Sequence, residues 1–326
     1  MNYWTGIAAA TATLVAVAQH NSFAAQSYPT HMITLDVPWP PGGTVDTVAR
    51  IIAPRLSDRL GQTVVVENHP GAGSTLGTAV LARAAPDGYT LGMPGSASMA
   101  ISPAIYKALP YEPTRDFAPI ALLGRSPFVL IVHPSLPVAS VPELIAYAKI
   151  NKLNYASGGG VGSPGHLYAE MFKAATGAEM THIPYRGSTD AIKDVAAGEV
   201  SLMFSDVAPV LSLIRAGSLR ALGVTTLAPV SVAPEIPPLN EAGVPDFDAA
   251  GWFMLAGPAG TPTAIVERLH SELKSIMESP KLKEMADKIG VVPVVSPPPA
   301  ELHAFIVSEK TRWGKIVQQA GLAGLQ

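Results

Sequence analysis

Apolar positions along the chain change period again and again. Met32 to Val37 is a short apolar run of strand length; from about Thr44 to Leu60 the spacing becomes helical, and Gly61 closes the element. Thr63 to Glu67 predicts the next strand, and after NHPGAGS a helix runs to Ala85. DGYTLGM supplies a third strand, whose C-terminal end opens into the small-residue loop PGSASMA. Two strand-like runs then flank Gly124-Arg125-Ser126-Pro127, which predicts a boundary near Arg125. Past it the rhythm restarts with a helix Pro142–Lys149, a strand Leu153–Ala156 and a helix Ser163–Ala175 stopped by Gly177. A strand Met180–Pro184, a helix Thr189–Ala197 ended by Gly198 and a strand Val200–Phe204 follow. A proline-rich connection, Ala228 to Pro245, leads to Trp252–Ala256, read as the crossover back to the first unit. The last third is helical, with Ile265, Leu269, Leu273 and Ile276 on one face and Phe305, Trp313, Ile316 and Val317 on the final helix. Strands alternating with helices, and then restarting, predict an α/β chain of two domains, 28–124 plus 251–326 and 125–250, with a cleft between them.

Composition sharpens this picture. At 326 residues the chain suits two domains, and with 48% hydrophobic and only 14% charged residues it can bury large cores. Ile7 to Ala18 is too short to span a bilayer, and Ser22-Phe23-Ala24 places small residues for cleavage after Ala24. Residues 1–24 are therefore read as a signal peptide and the product as an exported, periplasmic protein. A net charge of −3 without any Lys/Arg run gives no footprint for nucleic acid. The absence of cysteine excludes disulfides, thiolate metal sites and a Cys nucleophile. The histidines show no metal-ligand spacing, so neither metal nor cofactor is expected. No feature calls for an oligomer, and a monomer is expected.

The candidate chemistry lies at strand ends that open helices. Pro40-Pro41-Gly42-Gly43 occupies such a junction, where unpaired N–H groups and the helix dipole can hold an anion without a cationic side chain. Trp39 reads as a cleft wall or as ordinary packing. Asp46 is either a first-turn acid that complements the dipole or a ligand contact. Further on, GVGSPG (160–165) matches G-x-G-x-x-G after a strand and before a helix, the context of a dinucleotide fingerprint. Helix initiation explains the same residues, with Ser163 as N-cap and Pro164 at N1, and the next strand, MTHIPYR, ends without an acid for a ribose. Ser163 is either a structural cap or a carboxylate contact, and His166 one turn on is weak by itself. The loop Tyr185-Arg186-Gly187-Ser188-Thr189 brings small polar residues to another helix start, with Arg186 a surface charge or an anchor for a distal carboxylate. Ser205 and Asp206 end a further strand. VGSPG and GSASM both fail G-x-S-x-G, so no hydrolase constellation is legible.

The segments YPTHMITLDVPWPPGGTVDTVAR, LGQTVVVENHPGAGSTLG, NYASGGGVGSPGHLYAEMFK and THIPYRGSTDAIKDVAAGEVSLMFSD, in this order, resemble the Bug-type solute receptors of tripartite tricarboxylate transporters. The resemblance runs from about Tyr28 to the C-terminus. It implies a type II periplasmic binding protein of the Venus flytrap kind, with no enzymatic activity, that binds a small organic carboxylate and delivers it to a membrane permease pair. Dicarboxylates, tricarboxylates, aromatic acids and acidic amino acids are the ligand classes it implies. It also carries ligand recognition onto Trp39, Pro40, Gly42 and Gly43, onto the Ser96 and Ser98 loop, onto Ser163 and His166, onto Tyr185 to Thr189, and onto Asp206. Closure about hinges near Arg125 and Gly251 is expected. An exported sensor for a signalling partner, or a dinucleotide enzyme using Gly160–Gly165, are the alternatives.

Overall fold

The computed structural model describes residues 28–324; the apolar run Ile7–Ala18 and the cleavage site at Ala24 lie outside them. Strand β1 (Ile33–Val37) passes through the Pro38–Gly43 turn into helix α1 (Thr44–Leu60), which ends at Gly61 in the left-handed region, φ 70°. Strand β2 (Val64–Asn68), helix α2 (Thr75–Ala82) and strand β3 (Thr90–Gly92) complete a first α/β run. The small-residue stretch after β3 is helical rather than a loop: a wide turn over Ala97–Ile101 leads into the short helix α3 (Ser102–Ile105). All of Ala97–Ile101 is buried, and burial without partners would strand the backbone polar groups of an open loop.

Strand β4 (Phe117–Val132) is the largest departure from the sequence pattern. The two predicted runs are one strand of 16 residues, continuous through Gly124-Arg125-Ser126-Pro127. Register shifts between Pro119 and Ala121 and between Leu122 and Gly124 let it bend along its partner β9 (Ala250–Pro258). Beyond Pro127, β4 pairs instead with β7 (Leu202–Asp206) and β8 (Arg220–Val224). The intervening chain forms helix α4 (Val141–Ala148), strand β5 (Leu153–Gly158), helix α5 (Pro164–Thr176), strand β6 (Met180–Tyr185) and helix α6 (Ser188–Ala197). A helix that the pattern did not predict, α7 (Val207–Arg215), follows β7; its Pro209 lies in the first turn, where the missing N–H removes no helical bond. Helices α8 (Thr263–Met277), α9 (Pro280–Lys288) and α10 (Pro299–Gln319) end the chain.

The sheet order is β2-β1-β3-β9-β4-β7-β5-β6, with β8 also on β4. The outer trios are parallel, and antiparallel β9 and β4 join them. Ile33, Leu35 and Val37 pack with Ile52 and Leu56 of α1 and with Leu269, Leu273 and Ile276 of α8. In the other trio Val129, Ile131, Ala156 and Met203 pack with Ala191 and Val195 of α6. A third cluster spans both, placing Trp313 of α10 against Tyr168 of α5, ring centroids 5.8 Å apart. Alternate residues of β4 thus bury into a core common to the two trios and into a core private to each, which makes this strand a shared beam.

Candidate functional site

A cavity of about 370 Å³ opens where the carboxyl ends of β1, β5 and β7 converge beside the β4–β9 pair. One side is the turn Trp39–Gly43 with Thr44 and Val45 of α1, joined by Gly95 to Ala97. The other is Gly158, Pro164, Gly187 to Thr189 and Ile192, with Phe204, Asp206 and Pro209. Ser126 and Phe128 of β4 and Gly251 to Phe253 of β9 line the space between.

Of the helices that begin at this cavity, two on its facing sides start on glycine. The N-cap of α1 is Gly43 and that of α6 is Gly187, both extended, and no side chain caps either helix. Their first-turn N–H groups therefore lack the usual side-chain acceptor, and each helix presents its positive end. Around them the walls are largely apolar: Trp39, Phe128, Ile192, Phe204 and Phe253. Asp206 is the only titratable side chain among the lining residues.

Trp39, Pro40, Gly42, Gly43, Ser96, Gly187, Ser188, Thr189 and Asp206 all line the cavity; the remaining sequence candidates do not. Asp46 is buried and already engaged, accepting from Gly42 N–H at 2.8 Å, Asn68 Nδ2 at 2.9 Å and Arg50 Nε at 3.0 Å. Burial would raise its carboxyl, but these donors outweigh burial and hold it below the usual carboxylate range. Asn68 also donates to the Trp39 carbonyl at 3.0 Å, so Asp46 and Asn68 together fasten a turn whose Gly42 requires φ 83°. Removing the carboxylate in Asp46→Ala is expected to lower the unfolding free energy by about 1–3 kcal/mol in urea denaturation, since the Gly42 N–H and Asn68 lose their acceptor. A loss below about 0.5 kcal/mol would mean the turn stands without it.

Ser98 is buried away from the cavity, where Thr78 Oγ1 donates to its hydroxyl at 2.9 Å. Ser163 caps α5, accepting from His166 N–H at 3.4 Å. His166 is itself buried: its Nδ1 accepts from Gly162 N–H at 3.0 Å, and its ring stacks on His182 with centroids 4.0 Å apart. Tyr185 donates its hydroxyl to Asp194 at 2.5 Å, and Arg186 is exposed. The cap at Ser163 is the structural alternative that the sequence offered, whereas Ser98, His166, Tyr185 and Arg186 are drawn off by partners, or by solvent, that spacing along the chain does not reveal. The G-x-G-x-x-G match is accounted for in the same way. Within it Gly162 and Ser163 donate their amides to His166 Nδ1 and Gly160 O, and Ser163 caps α5, so helix initiation uses these residues.

The pattern did not point to Ser126, Phe128, Gly158, Ile192, Phe204, Pro209 or Gly251, which also line the cavity. Gly158 had a legible signal, since it ends a strand before a glycine run. Ser126 and Gly251 had none, because they become neighbours only through the β4–β9 register that sets them opposite each other.

The sequence pattern of the tripartite tricarboxylate transporter family receptor matches residues 48–322. The chain belongs to this receptor family. This solute-binding receptor is 36% identical to BugT of Bordetella pertussis over 318 residues, 97% of this chain and 96% of BugT. Its structure matches that of R. palustris Rpa4515 with adipate at TM-score 0.85 and 36% identity, covering 91% of this chain and 99% of the other. It also matches MatC from Rhodopseudomonas palustris with bound malate at TM-score 0.80 and 29% identity, covering 89% and 100%. The receptor thus has the α/β periplasmic binding-protein fold, as the sequence resemblance implied.

Proposed function

We propose that the receptor is exported to the periplasm, holds a small organic carboxylate in the cavity described above and delivers it, as a monomer, to a membrane permease pair. The observation that carries this reading is the pair of glycine-started, uncapped helices, α1 and α6, facing one cavity without a lysine, arginine or histidine among its lining residues. Such a site holds an anion through main-chain donors and helix dipoles. Solved relatives that hold adipate and malate support the class. A lone titratable lining group supports binding over acid–base turnover, which needs matched partners. We further propose that 28–124 plus 251–326 and 125–250 are two lobes that close on the ligand. Their hinge would be Arg125–Pro127 and Ala250–Trp252, where β4 and β9 cross together from one trio to the other.

The test is thermal unfolding against mono-, di- and tricarboxylates and aromatic acids, with small-angle scattering on the same samples. A ligand at 100-fold its dissociation constant should add about 2.7 kcal/mol, a rise of several degrees for a chain this long. Absence of a shift across the whole panel would end the carboxylate reading; a shift with unchanged scattering dimensions would end the closure.

A further inference from the structure

Asp206 is out of place in a cavity built for an anion. It is the N-cap of α7, yet its side chain does not cap that helix. Ser126 Oγ donates to its Oδ1 at 2.7 Å, and Thr44 Oγ1, the first residue of α1, reaches the same oxygen at 3.5 Å. No side chain among the described residues donates to Oδ2, and no Lys, Arg or His pairs with the group. Burial pushes its carboxyl up, with only the two hydroxyls and its own N–H opposing. The surroundings are polar rather than cationic. A Cβ at Gly251 would lie 3.4 Å from Ser96 Oγ and 3.7 Å from the Tyr168 hydroxyl, and that buried hydroxyl has no partner.

A fully ionised acid lying here would press a carboxylate or a hydrocarbon chain against a second carboxylate, and both are unfavourable in a partly desolvated space. A ligand hydroxyl or ammonium would instead donate to it, and a hydrogen bond to a charged acceptor is among the stronger kinds. The acid end has a separate place. Gly158 of β5 meets the start of α6, since a Cβ there would lie 2.7 Å from Ser188 N. Strands β5 and β7 are parallel neighbours, so the end of β7 at Asp206 lies about one to two strand spacings, ~5–10 Å, from those amides. A molecule of a few carbons spans that gap.

We propose that Asp206 selects carboxylic acids that also carry a hydrogen-bond donor, a hydroxyl or an ammonium group, with the acid on the amides of Gly187–Thr189 and the donor on Asp206. This rests on the carboxylate reading above and adds a second requirement to it.

The test is calorimetric titration of the full receptor with two matched series: succinate, malate and aspartate, and adipate, 2-hydroxyadipate and 2-aminoadipate. In at least one series the donor-bearing acid should bind tenfold or more tightly than the plain diacid, and the hydroxy and amino members separate the two donor types. In Asp206→Asn, whose amide also donates, the preference should shrink to threefold or less as the plain diacid gains. Equal affinities within each series in the parent protein overturn the proposal without any variant, as does an undiminished preference in a folded Asp206→Asn. No binding in either series, together with no response to the wider acid panel, counts against the carboxylate reading itself.

Discussion

Gly158→Ala is expected to melt several degrees below the parent receptor and to lose ligand-induced stabilisation. The added methyl would lie 2.4 Å from Ser188 Oγ, 2.6 Å from Ser188 Cα and 2.7 Å from Ser188 N. The hydroxyl could rotate, but the other two atoms belong to the backbone at the first residue of α6. Strand β5 is held by β6 on one side and β7 on the other, so α6 is the element that must retreat. Overpacking of this kind costs about 1–3 kcal/mol, and a chain of this size loses about 1.5–2 °C per kcal/mol. Retreat also carries away the amides of Ser188 and Thr189, which is why binding should suffer more than stability. Gly187→Ala is the control: its φ of −145° suits any residue and nothing lies within 4 Å of an added Cβ, so its melting temperature should stay with the parent's. Thermal unfolding by circular dichroism, with and without ligand, decides the matter. A Gly158→Ala protein that melts with the parent would mean that β5 and α6 are not in backbone contact.

Acid should weaken the receptor through a stack of rings beneath the α5 loop. His182 lies against His166, and its Nε2 is 2.7 Å from Ser157 Oγ. Burial and the neighbouring His166 push His182 down to about 4, with Glu170 pulling the other way and Lys173 adding to the fall. Burial likewise lowers His166. With the folded pKa depressed, the unfolded chain takes up protons first. The contribution is therefore intact above about pH 6.5 and drains away as the pH falls toward 4. For a half-buried ring, solvent screening reduces this to about 1–2 kcal/mol. Asp36, raised to about 6 chiefly by burial, and Asp206, raised by burial too, work in the opposite sense, gaining stability as the pH falls. The useful measurement is consequently a difference: urea unfolding of the parent and of His182→Gln from pH 7.5 to 4, in which the shared carboxylates cancel. The parent's margin over the variant should shrink by about 1–2 kcal/mol across that range. A margin that stays flat would show that the imidazole is not held neutral.

The loop Gly159–Ser163 joins β5 to α5. His166 Nδ1 accepts from Gly162 N–H only while that nitrogen carries no proton, and Pro164 at the end of the loop lines the cavity. Packing of the ring stack and shape of the site are therefore joined through one short turn.

Much of the α/β frame was legible from the chain alone, because its signals are local. Gly61, Gly177 and Gly198 end three helices in the left-handed conformation that only glycine adopts freely, and Ser163-Pro164 opens a fourth as cap and N1. Periodicity placed β1, α1, β6 and the buried faces of α8 and α10 within a residue or two. The glycine-rich helix starts that face the cavity were likewise visible as strand-to-helix junctions. What could not be read was partner choice. Gly124–Pro127 looks like a break, and becomes strand because β9, more than a hundred residues later, pairs along its whole length. Asp46 reads either as a first-turn acid or as a ligand contact, and only the fold shows its carboxylate held by Asn68 and Arg50. His166 and Tyr185 are withdrawn in the same way by Gly162 and Asp194, while Ser126 and Gly251 enter the site unannounced. Backbone conformation and amphipathic spacing depend on a residue and its near neighbours, so the sequence by itself determined the elements and their ends. Which strand ends converge, and which polar groups remain free once every buried donor has found its acceptor, depend on contacts across the whole chain, and only the tertiary structure decided them.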